Sequence, residues 1–409
     1  MKIRTLAVVG VGLTLALGLS ACSKPAATTP PTTTTTSAAA VPSTSATSAA
    51  PTTSTSAPAS TTANAAVDFV KDVGVVLPTN SEPRWVMAQA AFNAAMPGVT
   101  ILFSQGDSAI EKTNVETLIS KGVKYIIICA QDGSAAAAAV DEAKAKGITV
   151  IAYDRLIMDT ANLDYYVTFD SVAVGEAWGD YLVKSAEKPQ GNNLWLYAGS
   201  ADDNNAFLFF QGAWNKLQPK IADGTFTIVN SDKAVALKDK LELSHDDLSN
   251  IIGQVGVMKW VPDTGKQIVQ ANLAKATKDQ KGVVYALTPN DDTAVAMSDT
   301  FRADPDVTKL YNTGQDFTQA SAQYILDGKQ GMTVWKPDPA LVQNCKDIIT
   351  AVAGGNAKPA VVVTEYDNRK EKVPSTKAEI TVVTKDNIAD VVKQPGSPFK
   401  IDGGKVVKA

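Results

Sequence analysis

Short apolar runs alternate with amphipathic stretches along most of this 409-residue chain. The runs at 73–77, 99–103, 123–130, 148–153 and 165–169 have the length and β-branched content of buried strands, and the stretches 108–121 and 134–146 carry apolar residues at helical spacing. The series restarts after Gly191, with strands predicted at 193–199, 226–230, 282–288 and 308–313 and helices near 204–220, 265–278, 291–302 and 317–328. Repeated βα units imply parallel sheets covered on both faces, so the fold class is α/β with two doubly wound lobes. A strand at 332–335, a helix from Pro339 to Val352 and a last strand at 360–364 then cross back, so that several strands join the lobes as a hinge. The first lobe is expected to comprise 67–168 plus 333–364, and the second 169–332 plus 365–409.

The N-terminus does not share this pattern. Lys2 and Arg4 precede an apolar run from Leu6 to Leu19 that is short for a membrane span, which reads as a secretory leader over 1–21. It ends in Leu19-Ser20-Ala21-Cys22, the form of a bacterial lipobox, in which Cys22 receives lipid and becomes the new N-terminus. From 22 to 66 the chain is nearly all Ala, Thr, Ser and Pro, a composition that cannot build a core and serves as a disordered spacer of about 35 Å. The expected location is therefore outside the cytoplasm, lipid-anchored on the outer face of the cell membrane.

Open α/β sheets bind ligands outside the carboxyl ends of their strands, and the unusual polar residues collect there. Arg84 and Trp85 follow the first strand, and Asp154 and Arg155 the fourth. In the second half come Asp203, Asn204 and Asn205, then Asn290 and Asp291, then Gln315 and Asp316. Planar Arg, Asp and Asn groups contact neighbouring hydroxyls of a polyol, while indoles such as Trp85 and Trp260 cover the C–H face of a sugar ring. Capping alone would also account for Asn204 or Asp291, and a structural ion pair for Asp154 with Arg155.

Other chemistries find little in the chain. A formal charge of −4 leaves no basic stripe for nucleic acid. The single histidine, His245, lies in the polar stretch Ser244-His-Asp-Asp and reads as a solvated loop. Gly10-Val-Gly12 begins like a dinucleotide loop but falls inside the leader. Asp202-Asp203-Asn204-Asn205 lacks the spacing and glycine of a calcium loop, so neither metal nor cofactor is expected. Cys129 lies in the apolar run Tyr125 to Ala130 and reads as a buried free thiol, although pairing with Cys345 stays open. A carboxylate pair for glycoside hydrolysis could be drawn from Asp154, Asp291 and Asp316, but binding without catalysis is the simpler account.

Several ordered segments, namely Pro83-Arg84-Trp85, Val150 to Ile157, Phe169-Asp170, Gly199 to Ala206, Asn290-Asp291, Gly314-Gln315-Asp316 and Met332 to Pro337, resemble the periplasmic sugar-binding proteins of bacterial ABC transporters. The likeness runs over about 72–393 and is strongest to xylose-binding and multiple-monosaccharide-binding members. It implies the type I two-lobed fold, an aldose ligand such as xylose or a related pentose or hexose, closure of the lobes around it, and delivery to a permease and ATPase by a monomer. It also implies that Arg84, Asp154, Arg155, Asn205, Asn290 or Asp291, and Asp316 bind hydroxyls, with Lys336 reaching in from the returning strand and Trp85 and Trp260 stacking. The chain departs from the family at Phe317-Thr318, where members carry Ala and an acidic or small residue, and in the longer stretch from Asp232 to Val257. A sensor that presents sugar to a receptor kinase would share these features; a sugar-responsive repressor would carry a DNA-binding headpiece where this chain has its leader.

Overall fold

The computed structural model describes residues 66–409, so the leader, Cys22 and nearly all of the spacer lie outside the described residues. After a short helix, Phe69–Asp72, come the strands β1 (Val73–Leu77), β2 (Thr100–Phe103), β3 (Tyr125–Ile128), β4 (Thr149–Tyr153) and β5 (Tyr165–Val167). These lie side by side in the order β2-β1-β3-β4-β5, all parallel, the flavodoxin-like winding whose order reverses beside β1. β1 and β3 are buried along their whole length, as uninterrupted Val and Ile runs require when helices cover both faces. One face packs on the helices Pro83–Ala95 and Asp338–Ala353, the other on Ser108–Ser120 and Ala137–Ala145.

The second sheet repeats the plan with β6 (Asn192–Leu196), β7 (Phe226–Ile228), β8 (Gly282–Leu287) and β9 (Val307–Asn312), parallel in the order β7-β6-β8-β9. The helices Ser171–Lys184 and Asn204–Ala222 cover one face, and Pro262–Lys275 and Asp291–Ala303 the other. The first two cross unusually closely. A Cβ on Gly175 would come within 1.9 Å of the Phe209 carbonyl oxygen, and one on Gly212 within 2.1 Å of the Val172 carbonyl oxygen. The long insert from Asp232 to Val257 folds as helices Asp232–Ala236 and His245–Val255 against this lobe. His245 therefore starts a helix instead of sitting in a loop: Ser244 accepts from the Asp247 amide while Asp247 accepts from the Ser244 amide, and the imidazole stacks on Phe207 at 4.8 Å.

The return differs from expectation in its boundaries. Strand β10 (Met332–Trp335) buries Met332 and Val334 in the second lobe's core, so the chain crosses at 336–337 and not at 333. After the helix Asp338–Ala353, the expected strand at 360–364 is replaced by an antiparallel hairpin, β11 (Thr364–Asp367) and β12 (Lys372–Ser375), which extends the first sheet next to β5. The first lobe thus reaches Ser375, eleven residues beyond the expected 364, because β12 gains a ladder partner in Tyr166. The chain then crosses a third time, with the Thr376 and Ala378 amides bonded to the Tyr166 and Thr168 carbonyls, into β13 (Thr381–Thr384), which pairs with β10. A C-terminal hairpin of β14 (Phe399–Asp402) and β15 (Lys405–Lys408) completes the second lobe. Cys129 and Cys345 are both buried and free.

Candidate functional site

The carboxyl ends of the two sheets face each other, and the loops that leave them enclose one cavity. It is lined by Glu82, Arg84, Trp85, Asp154, Arg155, Asp203, Asn205, Phe209, Trp260, Asn290, Gln315, Asp316 and Lys336. About 320 Å³ of space lies between its walls, solvent at its mouth included, the lower end for a small-molecule site.

Each lining residue has a local reason for its place. Pro83 occupies the first turn of its helix, where its missing N–H costs nothing, and this starts the helix so that Arg84 and Trp85 are turned inward. The Arg84 guanidinium, 4 % exposed, donates to Asp154 at 2.7 Å and to Asp338, and lies 3.6 Å from Asp316 of the other lobe. Asp338 is held in turn by the Tyr153 hydroxyl at 2.8 Å. Burial pushes the Asp154 carboxyl upward, but Lys336 and Arg84 outweigh it and hold it at about 2. Lys336, at the second crossing, sits 3.0 Å from Asp316.

Arg155 spans the cleft. Its Nε meets Asp203 of the second lobe at 3.1 Å, its Nη1 donates to the Ala130 carbonyl at 3.2 Å, and its plane lies 5.1 Å from the Trp85 ring centre. Burial raises Asp203 to about 6 despite that arginine. Asn205 also bridges the lobes: its Nδ2 donates to the Asp154 carbonyl at 2.8 Å and its Oδ1 accepts from the Tyr166 hydroxyl at 3.2 Å. Behind Arg155, the buried Glu111 accepts from the Gln131 amide at 2.7 Å, fixing the turn whose carbonyls hold the guanidinium; burial lifts Glu111 to about 7.

Trp260 lies flat on Gly199, where a Cβ would fall 2.0 Å from the indole, and packs edge-on against Phe209. Its own backbone and those of Asp154 and Asp316 are left-handed, with φ of +57°, +62° and +99°. Such conformations carry strain in residues other than glycine and persist where the surroundings over-determine them. Three buried polar atoms of the cavity wall, Arg84 Nε, Trp260 Nε1 and Gln315 Oε1, have no hydrogen-bond partner among the described residues and offer two donors and one acceptor.

Two expected residues do not reach the cavity. Asn204 is half-buried between Asp203, which caps the helix by accepting from the Asn205 amide at 2.9 Å, and Asn205 itself; helical geometry turns successive side chains about 100° apart, and Asn204 points aside. Asp291 is fully buried beneath the site, where it accepts from the Thr318 amide at 2.8 Å and the Thr333 hydroxyl at 2.7 Å. It braces the Asp316 loop and faces no cavity. Glu82, Phe209 and Gln315 join the wall in addition. Phe209 stands four residues after Asn205 on one helix, a spacing that puts both on one face, and Glu82 accepts from the Trp85 indole at 3.0 Å.

Comparison with known proteins gives a consistent picture. Residues 73–357 match the family described as periplasmic binding protein domain. The multiple sugar-binding periplasmic protein SbpA of Azospirillum brasilense is 31 % identical over 74 % of this chain and 83 % of its own length. The D-xylose-binding periplasmic protein of Escherichia coli is 32 % identical over 73 % and 81 %. Among solved structures, a carbohydrate-transporter solute-binding protein from Chloroflexus aurantiacus in complex with D-glucose is 51 % identical, with a TM-score of 0.77 over 80 % of this chain and 96 % of that one.

Proposed function

The chain belongs to the periplasmic binding protein family, and from that premise we propose that it is an extracytoplasmic receptor that closes its two lobes on one neutral aldose and presents it to an ABC permease and its ATPase. The observation that carries this reading is the charge arrangement of the cavity. Arg84 is matched by Asp154, Arg155 by Asp203 and Lys336 by Asp316, so among the described residues none of these cations is spare for an anionic ligand. Matched ion pairs offer donors and acceptors to hydroxyls without demanding a charge in return. The indoles of Trp85 and Trp260 supply apolar faces for the ring. Glucose in the Chloroflexus complex and xylose in the Escherichia coli relative mark the class of ligand to try first.

Carboxylates engaged with cations suit holding hydroxyls better than delivering protons, and the named relatives are binding proteins. Anchoring through a lipid on Cys22, with the spacer to 66 as a tether and the receptor acting as a monomer, completes the proposal. The test is a thermal-shift panel of pentoses, hexoses, hexose phosphates and uronic acids on the secreted chain. A sugar at 100 times its dissociation constant adds about 2.7 kcal/mol. Neutral aldoses are expected to raise the midpoint and the charged analogues to leave it unmoved; a response to the charged sugars alone would defeat the reading.

A further inference from the structure

The Phe317-Thr318 departure has a structural counterpart. Phe317 adopts φ +56° directly after Asp316 at φ +99°, and a bulky residue with positive φ is a backbone outlier. Two consecutive strained residues, the first presenting its carboxylate to Lys336 and near Arg84, persist only if neighbouring structure holds them. Phe317 itself does not face the cavity. It is fully buried, 5.8 Å from the Trp335 ring and 5.6 Å from that of Phe399. Phe399 opens the C-terminal hairpin β14–β15, whose Val406 buries into the same cluster. A lone two-stranded hairpin is marginal in water. This one is tied down by the Val406 backbone amide donating to the Gln323 side-chain oxygen at 2.8 Å and the Gln319 side-chain amide donating to the Val406 carbonyl at 2.9 Å.

We propose that the C-terminal hairpin is a positioning element of the binding site: through Phe399 and Phe317 it holds the backbone that aims the Asp316 carboxylate into the cavity. Phe399 and Phe317 are positioning residues in this scheme, since neither lines the cavity. The consequence for affinity rests on the sugar-receptor reading, whereas the bracing itself does not.

Two measurements separate them. In the absence of sugar, Phe399→Ala is expected to speed amide hydrogen exchange at Asp316 and Thr318 by about tenfold or more, with Phe399→Leu restoring most of the protection. In sugar titrations at room temperature, where near-UV circular dichroism verifies the folded state, Phe399→Ala is expected to raise the dissociation constant by a similar factor. Phe317→Gly, which tolerates the positive φ, is expected to bind more tightly than Phe317→Ala. A hairpin that only stabilised the second lobe would lower the thermal midpoint while leaving exchange at 316–318 and the Gly-to-Ala order unaffected, and that result overturns the proposal. Wild-type protein that binds no sugar would refute the functional reading, and the exchange data would still decide the brace.

Discussion

Arg84 is the residue whose removal has the most distinctive consequence. Arg84→Met keeps much of the aliphatic stem but takes away the cation bonded to Asp338, leaving that buried carboxylate with the Tyr153 hydroxyl as its sole hydrogen-bond donor among the described residues. Asp154 retains Lys336 and Arg155 nearby, and Asp316 retains Lys336, so the deficit falls on Asp338. Breaking one side of a buried ion pair costs about 3–5 kcal/mol. Burial already raises the Asp338 carboxyl while Arg84 opposes it; without the arginine the folded form holds that proton to higher pH. An acid whose folded pKa lies above its unfolded one stabilises the fold at low pH and loses that contribution as pH rises through the window between the two. Urea unfolding followed by tryptophan fluorescence should therefore show a small deficit for Arg84→Met near pH 4 and the full deficit near pH 8. Asp338→Asn added to it should recover a large part of the loss at pH 8. An equal deficit at both pH values, or no rescue, would refute the assignment. Sugar affinity should fall in both variants by about 10- to 200-fold, the loss of one charged hydrogen bond to a hydroxyl.

Other outcomes follow from the same geometry. Glu111→Gln keeps the acceptor for the Gln131 amide but cannot titrate; because burial lifts Glu111 to about 7, the variant's stability relative to wild type should climb between pH 4.5 and 7 by up to about 3 kcal/mol and then level off, as urea midpoints across pH would show. Gly212→Ala places a methyl 2.1 Å from a carbonyl oxygen of the facing helix, where backbone meets backbone with nothing flexible between; it should lower stability by about 3 kcal/mol, the upper end for overpacking, measured by the same unfolding assay. Gly199→Ala drives its methyl into the Trp260 ring at the cavity wall and should weaken sugar binding far more than it lowers the unfolding midpoint, which calorimetric titration beside a thermal scan would separate.

The α/β plan could be read from the sequence because buried parallel strands leave uninterrupted Val and Ile runs, as in β1 and β3, and because loops at strand ends concentrate Arg, Asp, Asn and Trp. What escaped that reading lies in contacts between segments distant along the chain. The hairpin at 364–375 mixes Pro374 and several charges with its few apolar positions, and only pairing with Tyr166 reveals it as sheet. Asp291 looked like Asp154 in sequence, a carboxylate just past a strand. Its burial under Thr333 and the Thr318 amide depends on the return strand. Asn204 failed for a local reason, the angular step of a helix, whereas Phe209 was legible from its spacing to Asn205. His245 was masked by the polarity of its neighbours, which is itself the signature of the Ser244 and Asp247 cap.

The contacts between the lobes are of a particular kind. Apolar clusters fill each lobe; Ile380, at the third crossing, packs against one cluster of each, and Met87, partly buried against the hairpin cluster, is the first lobe's contribution to that one. Across the cleft the contacts are polar: Arg155 with Asp203, Asn205 with the Asp154 carbonyl, the Gly133 amide with the Asp202 carbonyl, and Lys259 with the Gly106 carbonyl. Water can replace each of these on opening, so direct lobe-to-lobe attraction contributes little net free energy. The closed state then depends on what lies between the lobes. On the proposed reading, a ligand that met Arg84 and Trp85 from one side and Asn205, Trp260 and Asp316 from the other would bind the closed form far better than the open one, and that difference in affinity would shift the population. Matched charges make the same point from the opposite direction: Arg155 and Asp203 already satisfy one another, so on the proposed reading a ligand lacking hydroxyls to share them would gain little from closing the cleft.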